Sequence, residues 1–140
     1  MLVVSQSDQE AMTIELKMLA LSIVLGLVQI VLASHSASFQ RGYVWTASSR
    51  EENLPGLTGV AGRLQRALNN FLETFPLFAA GVLVAHVAAS NSLMTKLGVY
   101  LYFWGRVAYV VLYAADVFLW RSLVWNVAAV GIALVLLSLV

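Results

Sequence analysis

The segment that decides the fold is residues 63–90, RLQRALNNFLETFPLFAAGVLVAHVAAS. It is long enough to cross a bilayer as an α-helix, which takes about 20 residues. Its first half nevertheless carries two arginines, two asparagines and a glutamate. Charged groups inside a membrane are costly, so they face protein or water rather than lipid. We therefore predict a transmembrane helix with one polar face turned toward protein.

The composition of the whole chain is typical of an integral membrane protein. Of its 140 residues, 61% are hydrophobic and only 11% are charged, whereas soluble domains have about 25% charged residues. The formal net charge of +1 lacks the basic excess of a nucleic-acid-binding protein, so no nucleic-acid partner is expected. The absence of cysteine from the sequence excludes disulfides and a protein thiol nucleophile. His35 and His86 have no carboxylate at metal-ligand spacing, so no metal site is expected.

Four apolar segments predict a single membrane domain of residues 1–140 with four transmembrane helices. The predicted spans cover about residues 12–34, 63–90, 95–118 and 119–140, and a polar loop covers residues 35–62. Helices are favoured because isolated strands leave backbone groups unpaired in lipid, and the alternation of a barrel is absent. The first span is too long for the core of a signal peptide, and an acidic segment, SQSDQE, precedes it. Such a small bundle has little interior, which favours oligomers.

The distribution of basic residues predicts the orientation in the membrane. Arginines concentrate in the long loop, its margins and the last connection: Arg41, Arg50, Arg63, Arg66 and Arg121. The opposite side offers mainly Lys96. By the positive-inside rule the long loop is cytoplasmic and both termini lie outside. The short connections are typical of a bacterial protein, which indicates the inner membrane.

Polar residues inside the second and third spans follow helical spacing. Arg66, Asn70 and Glu73 are spaced i, i+4 and i+7, which places them on one helical face. A second stripe is formed by Tyr102, Arg106, Tyr109, Tyr113 and Asp116. At about 1.5 Å per residue, Glu73 and Arg106 lie at similar depth. This predicts an ion pair, within one subunit or between two, at the floor of a polar cup. Arg121 would lie at the cytoplasmic mouth of the cup.

The same residues also have a purely structural interpretation. Polar side chains can hold helices together at about 0.6 kcal/mol per hydrogen bond, and arginines near the end of a span can extend to the headgroups. Arg66 and Arg121 would then be membrane anchors, and Glu73 and Arg106 a packing device. A non-catalytic scaffold and a module that binds lipid or a hydrophobic small molecule therefore stay open as alternative functions.

Two motifs resemble the MAPEG superfamily, the membrane-associated proteins in eicosanoid and glutathione metabolism. RALNNFLETFP places Arg66, Asn70, Glu73 and Pro76 at the relative positions zero, four, seven and ten of that family. GRVAYVVLYAADVFLWRS then supplies an arginine, aromatic residues three and seven positions later, and an arginine at the head of the last span. One departure is Asp116, which adds an acid near the expected ligand.

The resemblance implies a homotrimer of four-helix protomers with glutathione, the co-substrate, bound between neighbouring subunits. The residues that match the family's glutathione site are Arg66, Asn70, Glu73, Arg106, Tyr109, Tyr113 and Arg121. Arg121 matches the residue that the family places near the sulfur, and Tyr113 is positioned to donate a hydrogen bond to it. These two are the predicted catalytic residues. The implied activity is that of a glutathione S-transferase, with peroxidase as a related activity, on a hydrophobic electrophile arriving from the bilayer.

Overall fold

A computed structural model describes residues 12–140, and the acidic segment at residues 5–10 lies outside them. Its helices are α1 (Ile14–Arg41), α2 (Tyr43–Ala47), α3 (Gly59–Val87), α4 (Leu93–Ala114) and α5 (Phe118–Leu137). All but the short α2 are long and apolar enough to cross a membrane. The predicted fold, an all-α membrane protein with a bundle of four spanning helices, is therefore confirmed.

α1 is longer than its apolar core. It continues past Ser34, the predicted end of the first span, to Arg41, because the intervening residues include no glycine or proline that would stop it. Gly42 ends it with a φ of 92°, and its N–H donates to the Ser38 carbonyl at 2.8 Å. The connection from α1 to α3 therefore covers residues 42–58 and includes α2, so it is shorter than the predicted loop of residues 35–62.

All four spanning helices contribute buried side chains to the main core of the bundle, and α3 and α4 supply most of its aromatic contacts. The buried side of α3 repeats at helical spacing, with Phe71, Phe78, Val82 and Ala85 among its members, and the helix continues through Pro76. At mid-length the Phe78 ring stacks on Tyr102 of α4, with the centroids 3.8 Å apart. This contact holds α3 and α4 together at mid-length. The polar residues of both helices lie nearer the end that holds the connection between α1 and α3. We call the end of the bundle that holds this connection the loop end.

α4 and α5 pack with their backbones almost in contact. A Cβ added to Gly131 would lie 2.6 Å from the Gly98 carbonyl oxygen, and a Cβ added to Gly98 would lie 2.6 Å from the Gly131 carbonyl oxygen. About two turns further along α4, Gly105 faces Ala128. Small residues at such a contact allow close helix packing in lipid, where no hydrophobic driving force acts between helices. The two helices therefore form a tight antiparallel hairpin.

α3 and α4 end in the same kind of turn, the Schellman motif. At the end of α4 the N–H of Val117 donates to the Leu112 carbonyl at 2.9 Å, and the N–H of Asp116 donates to Tyr113 at 3.2 Å. The left-handed residue of this motif is usually glycine. Here it is Asp116 in α4, with a φ of 64°, and Ala89 in α3, with a φ of 53°. The turn at Asp116 brings the start of α5 next to the end of α4.

The outside of the bundle is apolar. α1 exposes a nearly continuous series of large aliphatic side chains: Leu21, Ile23, Val24, Leu27, Val28, Ile30, Val31 and Leu32. α5 likewise exposes apolar residues over much of its length. Exposed apolar surface of this extent is typical of contact with lipid or with another subunit. The chain is an integral, multi-pass membrane protein in contact with lipid.

Candidate functional site

Arg106 is the most deeply buried charged side chain of the predicted site, with 2% of its surface exposed. Its Nη1 donates to Oδ1 of Asn70 at 2.8 Å, and its Nη2 donates to the Thr74 hydroxyl. The guanidinium lies over the rings of Tyr102 and Tyr109, at 5.6 and 5.4 Å from their centroids. Its Nε has no acceptor among the described residues. The cation is therefore held by neutral acceptors and aromatic faces.

The predicted ion pair between Glu73 and Arg106 does not form within the protomer. The ion pairs found in residues 12–140 join Asp116 to other arginines, and the Glu73 side chain is exposed. Helix geometry explains the difference. Relative to Arg66, Asn70 and Thr74 point about 40° and 80° around the helix, toward α4, whereas Glu73 points about 20° in the opposite direction. This interpretation of the spacing was wrong within one subunit, because the stripe faces two directions.

The ring of Tyr113 has two guanidinium groups near it at the loop end. The Arg121 guanidinium carbon is 4.6 Å from the centroid of its ring, and that of Arg66 is 6.0 Å away. The ring of Tyr109, one turn earlier, is 5.4 Å from the Tyr113 ring and tilted by 52°. Three helices thus contribute to one cluster: α3 through Arg66, α4 through the tyrosines and α5 through Arg121. Such cation–π contacts hold the guanidinium groups of Arg66 and Arg121 through the ring and use none of their N–H groups, which can still donate hydrogen bonds.

A third arginine and an acid complete the cluster. Nε of Arg63 donates to the Ala114 carbonyl at 3.0 Å, which ties the start of α3 to the end of α4. The Asp116 carboxylate lies 3.7 Å from Nη1 of Arg63 and 3.9 Å from Nη1 of Arg121. Asp116, the acid at the end of the second polar stripe, is therefore shared between two arginines.

The predicted site residues are thus brought together in one region, apart from the exposed Glu73, which lies beside it. They form two tiers: Arg106 with Asn70 and Tyr109 in the bundle, and Arg66, Tyr113 and Arg121 nearer the loop end. Arginines exceed carboxylates in both tiers. The arrangement is suited to an anionic ligand with several hydrogen-bonding groups.

Two contributors were missed from the sequence. Thr74 accepts a hydrogen bond from Arg106, and its hydroxyl oxygen is also 3.3 Å from that of Tyr102. Its signal was available, because it stands four residues after Asn70 and so shares the face of Asn70. Arg63 was counted only as a loop charge, and nothing in the spacing indicates that its partner is the end of α4.

The comparisons with known proteins agree with this architecture. The sequence profile of the MAPEG family matches residues 18–140, which is nearly the whole chain. No curated protein and no solved structure shows a significant match to the chain. The match covers α3, α4, α5, all but the first turn of α1, and every predicted site residue. The chain therefore belongs to the MAPEG family, whose members are membrane proteins linked to eicosanoid and glutathione metabolism.

Proposed function

We propose that this protein is a glutathione-dependent membrane transferase, with peroxidase as a related activity, that acts on hydrophobic electrophiles. The observation that carries the proposal is the net positive charge of the site. Arg106 is buried and no carboxylate pairs with it in residues 12–140, while Arg66 and Arg121 flank one tyrosine ring. A buried charge without a partner costs several kcal/mol, so an anionic ligand would be bound strongly.

Glutathione has the groups that these side chains lack. Its two carboxylates would take the N–H donors of Arg66 and of the inner tier, as charge-assisted hydrogen bonds. Oδ1 of Asn70 already accepts from Arg106, so Asn70 would offer its NH₂ group to a peptide carbonyl of the ligand. The exposed carboxylate of Glu73 would take the ammonium group. Binding the ammonium group would give Glu73 a role on the stripe that it shares with Arg66 and Asn70, although it does not pair with Arg106.

Arg121 and Tyr113 are the proposed catalytic residues. A free thiol has a pKa of about 8.5, and a nearby cation lowers it by stabilising the thiolate. Arg121 stands in the first turn of α5, where the helix N-terminus adds a partial positive charge. The Tyr113 hydroxyl would donate a hydrogen bond to the same sulfur. Because the sequence contains no cysteine, the reactive sulfur would be that of the ligand.

The proposed chemistry follows from a stabilised thiolate. In transfer, the sulfur donates its electron pair to an electrophilic carbon, a C–S bond forms, and the leaving group departs with the electrons of the broken bond. In peroxide reduction, the thiolate attacks the terminal oxygen of a hydroperoxide, the O–O bond breaks, and the alkoxide takes a proton. A second glutathione then converts the sulfenic acid to a disulfide and water.

The site would be completed by neighbouring subunits in a homotrimer. Arg66 and Glu73 are exposed on the side of α3, and the adjoining outer faces of the bundle are apolar. A neighbouring subunit would cover the glutathione, and the hydrophobic electrophile would enter from the bilayer along the apolar surface. We further propose that the loop end faces the cytoplasm of a bacterium and that both termini lie outside its inner membrane.

Calorimetric titration of the detergent-purified protein with glutathione tests the proposal. We expect Arg66→Ala to weaken binding at least tenfold, because it removes one charge-assisted contact. Arg50→Ala, which alters the connection between α1 and α3, is the matched control and should bind like the unaltered protein. Turnover of a chlorinated nitroaromatic electrophile then distinguishes an enzyme from a binding protein. A trimeric protein that binds no glutathione would instead support the non-catalytic scaffold.

A further inference from the structure

The residue at the turn between α4 and α5 is unusual for its backbone conformation. Asp116 occupies the left-handed position of a Schellman motif, with a φ of 64°. This conformation costs a residue with a side chain more than it costs glycine. The N–H groups of Asp116 and Val117 make the two hydrogen bonds of the motif as they would with glycine at position 116, so the carboxylate is what distinguishes the residue at this place.

The carboxylate lies between two arginines from different helices. It is 3.7 Å from Nη1 of Arg63 and 3.9 Å from Nη1 of Arg121, and its side chain is 65% exposed. Both separations exceed hydrogen-bond length, so these contacts are ion pairs without a fixed bonding geometry. Exposed pairs of this kind contribute little to stability. A carboxylate held so loosely is accessible to competition from another anion.

We propose that Asp116 is a built-in counter-ion that occupies Arg121 in the free protein and that an anionic ligand must displace. This inference rests on the proposed function, because it concerns the arginine assigned to the glutathione sulfur. The same acid, standing beside the thiolate, opposes its ionisation. Asp116 therefore lowers both the affinity for the anion and the fraction of thiolate.

The sign and size of the effect follow from the charges. Removing the carboxylate leaves Arg121 and Arg63 uncompensated, which favours an incoming anion and lowers the thiol pKa. An exposed ion pair corresponds to a factor of about two to five in an equilibrium constant. Asp116→Asn should therefore bind glutathione about two to five times more tightly and lower the pKa of the bound thiol by a few tenths. If Asp116 served instead to orient Arg121, the same substitution would weaken binding and raise the thiol pKa.

The experiment compares Asp116→Asn with Glu51→Gln, which removes the same charge from an exposed position in the connection between α1 and α3. Glutathione affinity is measured by calorimetry, and the thiol pKa by thiolate absorbance against pH. Phenylglyoxal, which modifies free guanidinium groups, supplies a readout without glutathione: the rate at Arg121 is followed by mass spectrometry. We expect faster modification and tighter binding in Asp116→Asn and neither change in Glu51→Gln.

Weaker or unchanged glutathione binding in Asp116→Asn, or an unchanged modification rate at Arg121, would overturn the inference. If the unaltered protein binds no glutathione, the proposed function fails, and the modification rate alone still decides whether Asp116 masks Arg121. Asp116→Gly is the second variant, because it removes the charge and also relieves the backbone. It should reproduce the binding of Asp116→Asn and be at least as stable as the unaltered protein.

Discussion

Substitutions on α3 can identify which side chain stabilises the buried Arg106 guanidinium at the centre of the site. In Asn70→Ala, the buried guanidinium loses the acceptor that lies 2.8 Å from its Nη1. A hydrogen bond to a charged group is worth about 1.5–3 kcal/mol. Because Arg106 is 2% exposed, water cannot replace the lost acceptor without rearrangement. We therefore expect a loss in the upper part of that range, about 2–3 kcal/mol, in the free energy of unfolding.

Two neighbouring substitutions serve as controls. Asn69→Ala is the same chemical change one residue earlier, at an exposed asparagine whose Oδ1 accepts from Gln65. Glu73→Gln removes an exposed charge that is not paired with Arg106 in the protomer. Each should cost less than about 0.5 kcal/mol, as is usual for surface substitutions. The large effect should therefore be confined to Asn70.

Unfolding in detergent micelles with increasing dodecyl sulfate, without glutathione, measures these differences. A double-mutant cycle of Asn70→Ala with Arg106→Leu should give a coupling energy of about 1.5 kcal/mol or more, because the two side chains are in direct contact. The corresponding cycle for Glu73 and Arg106 should give a value near zero. If Glu73→Gln costs as much as Asn70→Ala and couples to Arg106, Glu73 is the counter-ion across a subunit interface. Asn70 would then not be the main partner of Arg106.

Three further predictions concern the chemistry, the packing and the orientation. Arg121→Leu should raise the apparent thiol pKa of bound glutathione by about one unit, equivalent to about 1.4 kcal/mol, and an unchanged titration in a variant that still binds would remove Arg121 from the mechanism. Gly131→Ala should destabilise the protein by about 1–3 kcal/mol, because its Cβ would lie 2.6 Å from the Gly98 carbonyl oxygen. Gly56→Ala has open space around it and should be neutral in the same unfolding assay. Ser49→Cys provides a single thiol in a chain without cysteine, and it should react with a membrane-impermeant reagent only from the cytoplasmic side. Labelling of Ser49→Cys from the outside would show that the protein has the opposite orientation in the membrane.

Much of the architecture could be predicted from the sequence because lipid imposes strong constraints. Long apolar runs in a bilayer must be helices, and this alone gives four spans. The membership of the MAPEG family was predicted from residues 66–76 and 106–121, and the profile match over residues 18–140 confirms it. The end of α1 was less accessible, because residues 35–41 are not apolar enough to be read as membrane yet are able to continue a helix.

The pairing inside the site was harder to predict. Spacing places residues on one helical face but does not tell which edge of that face meets the next helix. Glu73 and Asn70 differ by about 60° around α3, and this angle separates an exposed carboxylate from a hydrogen bond to Arg106. Glu73 and Arg106 have opposite charges and lie at similar depth in the membrane, which favoured Glu73 as the predicted partner of Arg106. The packing of α3 on α4 selects Asn70 and Thr74 instead.

The glycine contact between α4 and α5 has a consequence for how the site changes shape. Because the backbones at Gly98 and Gly131 lie too close together to admit a Cβ, sliding or rotating one helix against the other would bring larger side chains into a clash. The hairpin of α4 and α5 should therefore move as one rigid unit, and Tyr113 and Arg121 should keep their spacing throughout the proposed catalytic cycle. Any widening that admits the proposed ligand, glutathione, is then a hinge motion of α3 away from this hairpin. Such a motion would part Arg66 from the tyrosine ring and leave the guanidinium assigned to the sulfur in place.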